Sequence, residues 1–165
     1  EIEETGSTLL ENSLIKARTV HKITGLPSLA DDTGLEVDAL DGAPGVYSAR
    51  YAGNDPSFED NINKLLFELK GVQLEKRNAR FRTVITFVDG NEELISEGVI
   101  EGIIINGSRG ASGFGYDPIF QPKSYNKTFA EMGQDEKNLI SHRALALEKM
   151  KNILVPYLKK GDFIG

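Results

Sequence analysis

An α/β fold with a mixed sheet is what this sequence predicts, and three observations carry it. Stretches with apolar residues three or four apart alternate with stretches rich in β-branched and aromatic residues. Two of the latter, ARFRTVITFV (79–88) and ELISEGVIEGIII (93–105), are joined only by a turn containing Asp89, Gly90 and Asn91, which predicts a long hairpin. The chain has 165 residues, 39% of them apolar and 27% charged, enough for one domain with its own core.

The elements follow in order. Residues 8–24, TLLENSLIKARTVHKIT, predict an amphipathic helix with Leu10, Leu14 and Ala17 on one face. Thr8 followed by Glu11 predicts a capping box at its start, and Gly25 and Pro27 are expected to stop it. A short strand then runs into Asp31-Asp32-Thr33-Gly34, whose composition predicts a turn, and LEVDAL (35–40) alternates as a further strand. After the turn DGAPG (41–45), a second helix is expected over 57–69, capped by Asp55 or Ser57. Phe58, Ile62, Leu65 and Leu69 make its buried stripe, and Gly71 ends it. In the second hairpin strand Gly98 and Gly102 mark bulges or bends. A glycine-rich loop, NGSRGASGFGYDP (106–118), precedes a C-terminal helix from about 141. Ser141 caps it, Leu147, Met150 and Leu154 share a face, and Pro156 bends or ends it.

Composition narrows the chemistry. There is no cysteine, so disulfides, thiolate catalysis and cysteine zinc sites are excluded. Histidine is limited to His21 and His142, which leaves hard cations held by oxygen as the expected metals. A net charge of −6 argues against a non-specific nucleic-acid binder, although not against a small phosphorylated substrate. Neither a signal-peptide pattern nor a long apolar run is present, so no membrane partner and a reducing, cytoplasmic location are expected.

The adjacent carboxylates Asp31 and Asp32 pose a question, because like charges repel and an unpaired buried carboxylate is costly. A turn accounts for them, and so does a divalent cation. The loop ending Phe114-Gly115-Tyr116-Asp117 sets aromatic rings beside a glycine, which suits a planar base, with Asp117 as acceptor for a ring nitrogen. It lacks the Gly-Lys-Ser/Thr of a phosphate-cradling loop. Lys137, His142 and Arg143 gather around a helix start, where unpaired N–H groups favour negative charge or carbonyl oxygens.

EETGSTLLENSLIKA (3–17), ADDTGLEVDALDGAPGVYSARYAG (30–53), GFGYDPIF (113–120) and SHRALAL (141–147) together resemble the inosine triphosphate pyrophosphatase family. That resemblance implies an elongated α/β fold with two lobes and a central cleft, a homodimer and Mg²⁺. It implies hydrolysis of non-standard purine nucleoside triphosphates such as dITP, ITP and XTP to the monophosphate and pyrophosphate. On the matched motifs Asp32 falls on the proton acceptor and a metal ligand, Glu4 on the second acidic metal position, and Lys16 on a lysine facing the phosphates. Thr33 falls on a substrate-contacting hydroxyl, Phe114, Gly115, Tyr116 and Asp117 on the base-stacking loop, and Lys137, His142 and Arg143 on the base-recognition cluster. Asp31 then points away from Asp32, because neighbours on a strand face opposite sides, and is expected to be structural.

The family pattern also includes an upstream strand, a Thr/Ser-Asn-x-x-Lys phosphate-binding turn and a helix. This sequence starts after them, at Glu1, so residues 1–165 are expected to be one domain truncated at its N-terminus. Two other readings are a catalytically silent nucleotide-binding fragment and a Maf-type nucleotide pyrophosphatase, the latter opposed by the FGYDP and SHR blocks.

Overall fold

The computed structural model describes residues 2–161. Four strands, β1 (Ser28–Val37), β2 (Asn78–Val88), β3 (Glu93–Ile104) and β4 (Phe120–Pro122), form one sheet in the order β1-β2-β3-β4. Helices α1 (Leu9–Thr24), α2 (Phe58–Glu68), α3 (Gln134–Ile140) and α4 (His142–Gly161) complete the α/β class that was expected. All the pairings among the described residues are antiparallel. Strands β2 and β3 form the expected hairpin, and the connection from β1 to β2, which carries α2, brings the chain back antiparallel to β1.

The sheet separates two environments. Helix α1 lies on one face, where Ser13 Oγ donates to the Ala30 carbonyl and meets Thr86 Oγ1 at 2.9 Å. On the other face two apolar clusters sit side by side. One packs Leu35, Val37, Ala79 and Phe81 of the sheet under Ile62, Leu65 and Leu69 and under the segment holding Tyr116, Phe120 and Phe129. The second packs Ile85 and Phe87 under Ala146 and Met150 of α4.

Several local expectations change. Asp31-Asp32-Thr33-Gly34 is not a turn: β1 runs through it unbroken, each residue paired with β2 from Ser28↔Val88 to Val37↔Ala79. The long β-branched partner strand decides this, because a ten-residue ladder outweighs the turn preference of four residues. The stretch LEVDAL contributes only its first half to β1, and Asp38–Leu40 form a short 3₁₀ turn. Helix α1 buries Leu9, Asn12, Ser13 and Ala17 rather than Leu10 and Leu14, so its inward face carries polar groups. Phe58, expected in the stripe of α2, is exposed, while Ile62, Leu65 and Leu69 are buried.

Gly98 and Gly102 are not bulges, since their pairings Thr83↔Gly98 and Ala79↔Gly102 keep register. Instead α4 lies directly on Gly98: a Cβ there would collide with the His142 carbonyl oxygen and the Ala146 nitrogen. Helix α3 was not anticipated. It ends at Ser141, whose extended backbone (ψ 150) breaks the helix and whose hydroxyl accepts from Ala144 N–H to begin α4. Pro156 leaves α4 running to Gly161, and the buried residues are His142, Ala146 and Met150, four apart. Leu147 is exposed.

Candidate active site

Strand β1 holds the site because its residues alternate between the two faces. Asp32 shares the α1 face with Ala30, and Thr33 shares the opposite face with Asp31 and Leu35. Lys16, two turns into α1, donates to Asp32 Oδ1 at 3.1 Å and meets Glu4 Oε1 at 2.8 Å. A lysine thus bridges two carboxylates supplied by separate segments. The other Asp32 oxygen, Oδ2, is buried and has no hydrogen-bond partner among the described residues.

Burial raises the Asp32 carboxyl above its ordinary value, although the Lys16 ammonium pulls the other way. Burial likewise works against the Lys16 charge, but Glu4 and Asp32 outweigh it and hold the ammonium above its usual range. Net attraction across the trio therefore favours charged lysine over neutral lysine, while one carboxylate oxygen is left without a partner among the described residues. Among the described residues no three His, Cys, Asp or Glu side chains converge. Glu4 and Asp32 are the two oxygen ligands on offer, which fits a cation that takes the rest of its shell from water and phosphate.

The opposite face of β1 opens into a cavity of about 180 Å³ at the boundary of the two apolar clusters. Thr33, Leu35 and Phe81 form its floor, Phe114, Gly115, Tyr116 and Asp117 one wall, and His142 another. The wall is tied together by hydrogen bonds. Asp117 Oδ2 accepts from Phe114 N–H at 3.0 Å and from the buried Lys137 ammonium at 2.6 Å. The same ammonium lies 4.7 Å from the centroid of the Phe114 ring. Gly113, at φ 78, lets the loop fold tightly over Asp117. Tyr116 donates its hydroxyl to the Ser48 carbonyl at 2.7 Å, and burial pushes that phenol upward. Phe114 itself is 52% exposed, an aromatic face turned to solvent at the rim.

His142 stacks on Phe81, ring centroids 4.8 Å apart, and burial pushes its imidazole down to about 3, aided by the Arg143 and Lys137 cations. Its Nδ1 is buried without a partner among the described residues. A neutral ring beside an aromatic wall reads a ligand by shape and hydrogen bonding rather than by charge.

The expected residues therefore fall into two groups and one outlier. Glu4, Lys16 and Asp32 are brought together on the α1 face. Thr33, Phe114, Gly115, Tyr116, Asp117 and His142 line the cavity, with Lys137 immediately behind Asp117. Arg143 does not line it, and its guanidinium instead pairs with Asp31 at 2.9 Å, both side chains nearly half exposed. Sequence reading missed Ser48, Asn61, Phe81 and Asn12. The first three become neighbours only through long-range packing. Asn12 carried a signal, because it lies four residues before Lys16 and so shares its side of α1.

No helix among the described residues is long and apolar enough to cross a membrane. A model of the Ham1 family matches residues 1–153. The dITP/XTP pyrophosphatase of Thermoanaerobacter pseudethanolicus is 52% identical over 161 residues, which cover 97% of this chain and 81% of that protein. The Bacillus subtilis protein of the same description is 52% identical over 155 residues, or 93% of this chain and 78% of its own length. Among solved structures, the Ham1 protein of Staphylococcus aureus superposes with a TM-score of 0.91 at 42% identity, covering 95% of this chain and 81% of the other. A HAM1 protein from Coxiella burnetii gives 0.90 at 48% identity, covering 94% and 81%. Match by family model, by sequence over nearly the whole chain and by superposition agree, and this chain belongs to the Ham1 family.

Proposed function

We propose that this chain hydrolyses non-standard purine nucleoside triphosphates, dITP, ITP and XTP, to the monophosphate and pyrophosphate. Its relatives described as dITP/XTP pyrophosphatases support the reaction class. The observation that carries the reading is a half-buried Asp32, held by a lysine through one oxygen while the other has no partner among the described residues, on the strand that also floors an aromatic cavity.

In this reading the purine enters the cavity and stacks on Phe114, while Thr33 and the buried His142 meet its edge. Arg143 has only donors to offer, so it suits the 6-carbonyl of hypoxanthine and xanthine and opposes the 6-amino group of adenine. For that contact it must leave Asp31. Glu4 and Asp32 would hold Mg²⁺, which when bound neutralises phosphate oxygens and fixes them for displacement. Lys16 adds a second positive charge for the triphosphate. The Asp32 carboxylate accepts a proton from the attacking water. The water oxygen bonds to phosphorus, the P–O bond between the α and β positions breaks, and pyrophosphate leaves with the electron pair. We further propose that the active form is a homodimer.

The test is pyrophosphate release from dITP and dATP, with magnesium and with a chelator. Magnesium-dependent release that favours dITP is the expected result. Equal turnover of both nucleotides would remove the purine-edge reading, and no release from either would remove the reaction.

A further inference from the structure

Asn12 is fully buried, yet it belongs to no apolar cluster. Its Oδ1 accepts from Gly6 N–H at 2.7 Å, tying the segment that carries Glu4 to the first turn of α1. Four residues on, and so on the same side of the helix, Lys16 reaches Asp32. The Asn12 carboxamide also lies against Asp32, where it favours the ionised carboxylate. Even so, Asn12 Nδ2 and Asp32 Oδ2 both remain buried without completing a hydrogen bond to a described residue. A buried donor and a buried acceptor left without partners are each costly, and such groups call for a reason.

From this we infer that Asn12 is a positioning residue: one carboxamide fixes Glu4, through Gly6, and Asp32 in a single constellation. Its oxygen holds the loop through Gly6 N–H, and its nitrogen is the donor offered to the Asp32 carboxylate, so the two ligands keep their spacing. The inference rests on Glu4 and Asp32 acting as proposed above. Gly6 suits this tie because a Cβ there would press on Asn12 Oδ1.

Three variants separate this from a merely structural role. Asn12→Asp keeps the acceptor for Gly6 but removes the donor facing Asp32, Asn12→Leu removes both at similar size, and Asn12→Ala leaves a cavity. Each is measured for unfolding midpoint, for kcat and KM on dITP, and for Mn²⁺ affinity by titration without nucleotide. Partners that orient metal ligands are typically worth about 10–100-fold in affinity or activity. Asn12→Asp and Asn12→Leu are therefore expected to lose about tenfold or more in Mn²⁺ affinity and kcat. KM should stay near the wild-type value, because the cavity lies across β1. A fall in midpoint with Mn²⁺ affinity and kcat within about threefold of wild type would overturn the inference. If the wild type binds Mn²⁺ and the variants do not, while dITP is untouched by all, the positioning stands and the reaction reading fails. A wild type that neither binds Mn²⁺ nor hydrolyses dITP overturns both.

Discussion

Asp32 divides its two oxygens between Lys16 and a buried space with no partner among the described residues, whereas Asp31 pairs with Arg143 at the surface; the proposed reaction uses that asymmetry. Asp32→Asn preserves shape and removes the charge. General-base catalysis supplies on the order of 10²–10⁴ in rate, so kcat for dITP should fall at least ~100-fold, with Asp31→Asn far milder. Turnover of Asp32→Asn within a few-fold of wild type would sink the assignment. His142 gives a pH dependence. Folding holds its imidazole at about 3 against an unfolded value of 6.5, so the folded state keeps it neutral. The unfolded chain takes up a proton first as pH falls. The contribution is complete above pH 6.5 and drains away as pH drops toward about 3. On the order of 2 kcal/mol should be lost between pH 6.5 and about pH 5. His142→Phe keeps the ring on Phe81 and should flatten that slope in urea unfolding, whereas an unchanged slope would place the titration elsewhere.

At the scale of elements, the contact between α4 and β3 places the first turn of α4, which carries His142 and Arg143. That contact depends on the missing side chain of Gly98. Gly98→Ala inserts a methyl group against helix backbone, which cannot rotate aside, so α4 must lift. Overpacking of this kind typically costs about 1–3 kcal/mol. The expected outcome is a lower urea midpoint together with a higher KM for dITP. A midpoint equal to wild type would mean that α4 does not lie on β3 as described. Across the sheet, Ser13 and Thr86 play a similar part for α1. Their buried hydroxyl contact and the Ser13 bond to the Ala30 carbonyl set the depth from which Lys16 reaches Asp32.

For the whole molecule, β1 works as a partition. The carboxylates and lysine stand on its α1 face, and the aromatic cavity opens on the other. Such a division predicts separable kinetics. Phe114→Ala should raise KM for dITP about tenfold with little change in kcat, since stacking of a base on an aromatic ring is worth roughly 1–3 kcal/mol. Asp32→Asn should do the reverse. Groups with no shared partners usually combine additively within about 0.5 kcal/mol, and the double variant should show losses that simply add. Strong coupling between the two would mean that the faces communicate through the strand.

Much of this was legible in the chain itself. The hairpin of residues 79–105, the α/β class and helices near 8–24 and 57–69 follow from periodicity and from caps such as Ser57 and Gly25, which act locally. The motif blocks named residues that the fold gathers on the two faces of β1, Arg143 excepted, because each block is a short contiguous string. Other matters were settled only by tertiary contacts. Asp31-Asp32-Thr33-Gly34 has turn composition, and it is strand because β2 offers a full ladder of partners. Gly98 looked like a bulge, and it is a landing place for a helix more than forty residues later in the chain. The expected inward face of the first helix was Leu10, Leu14 and Ala17, yet Asn12 and Ser13 are buried because the groups facing them are polar too. Sequence encodes each segment's local preference; which face is buried, and which carboxylate keeps a free oxygen, depends on what the rest of the chain brings against it.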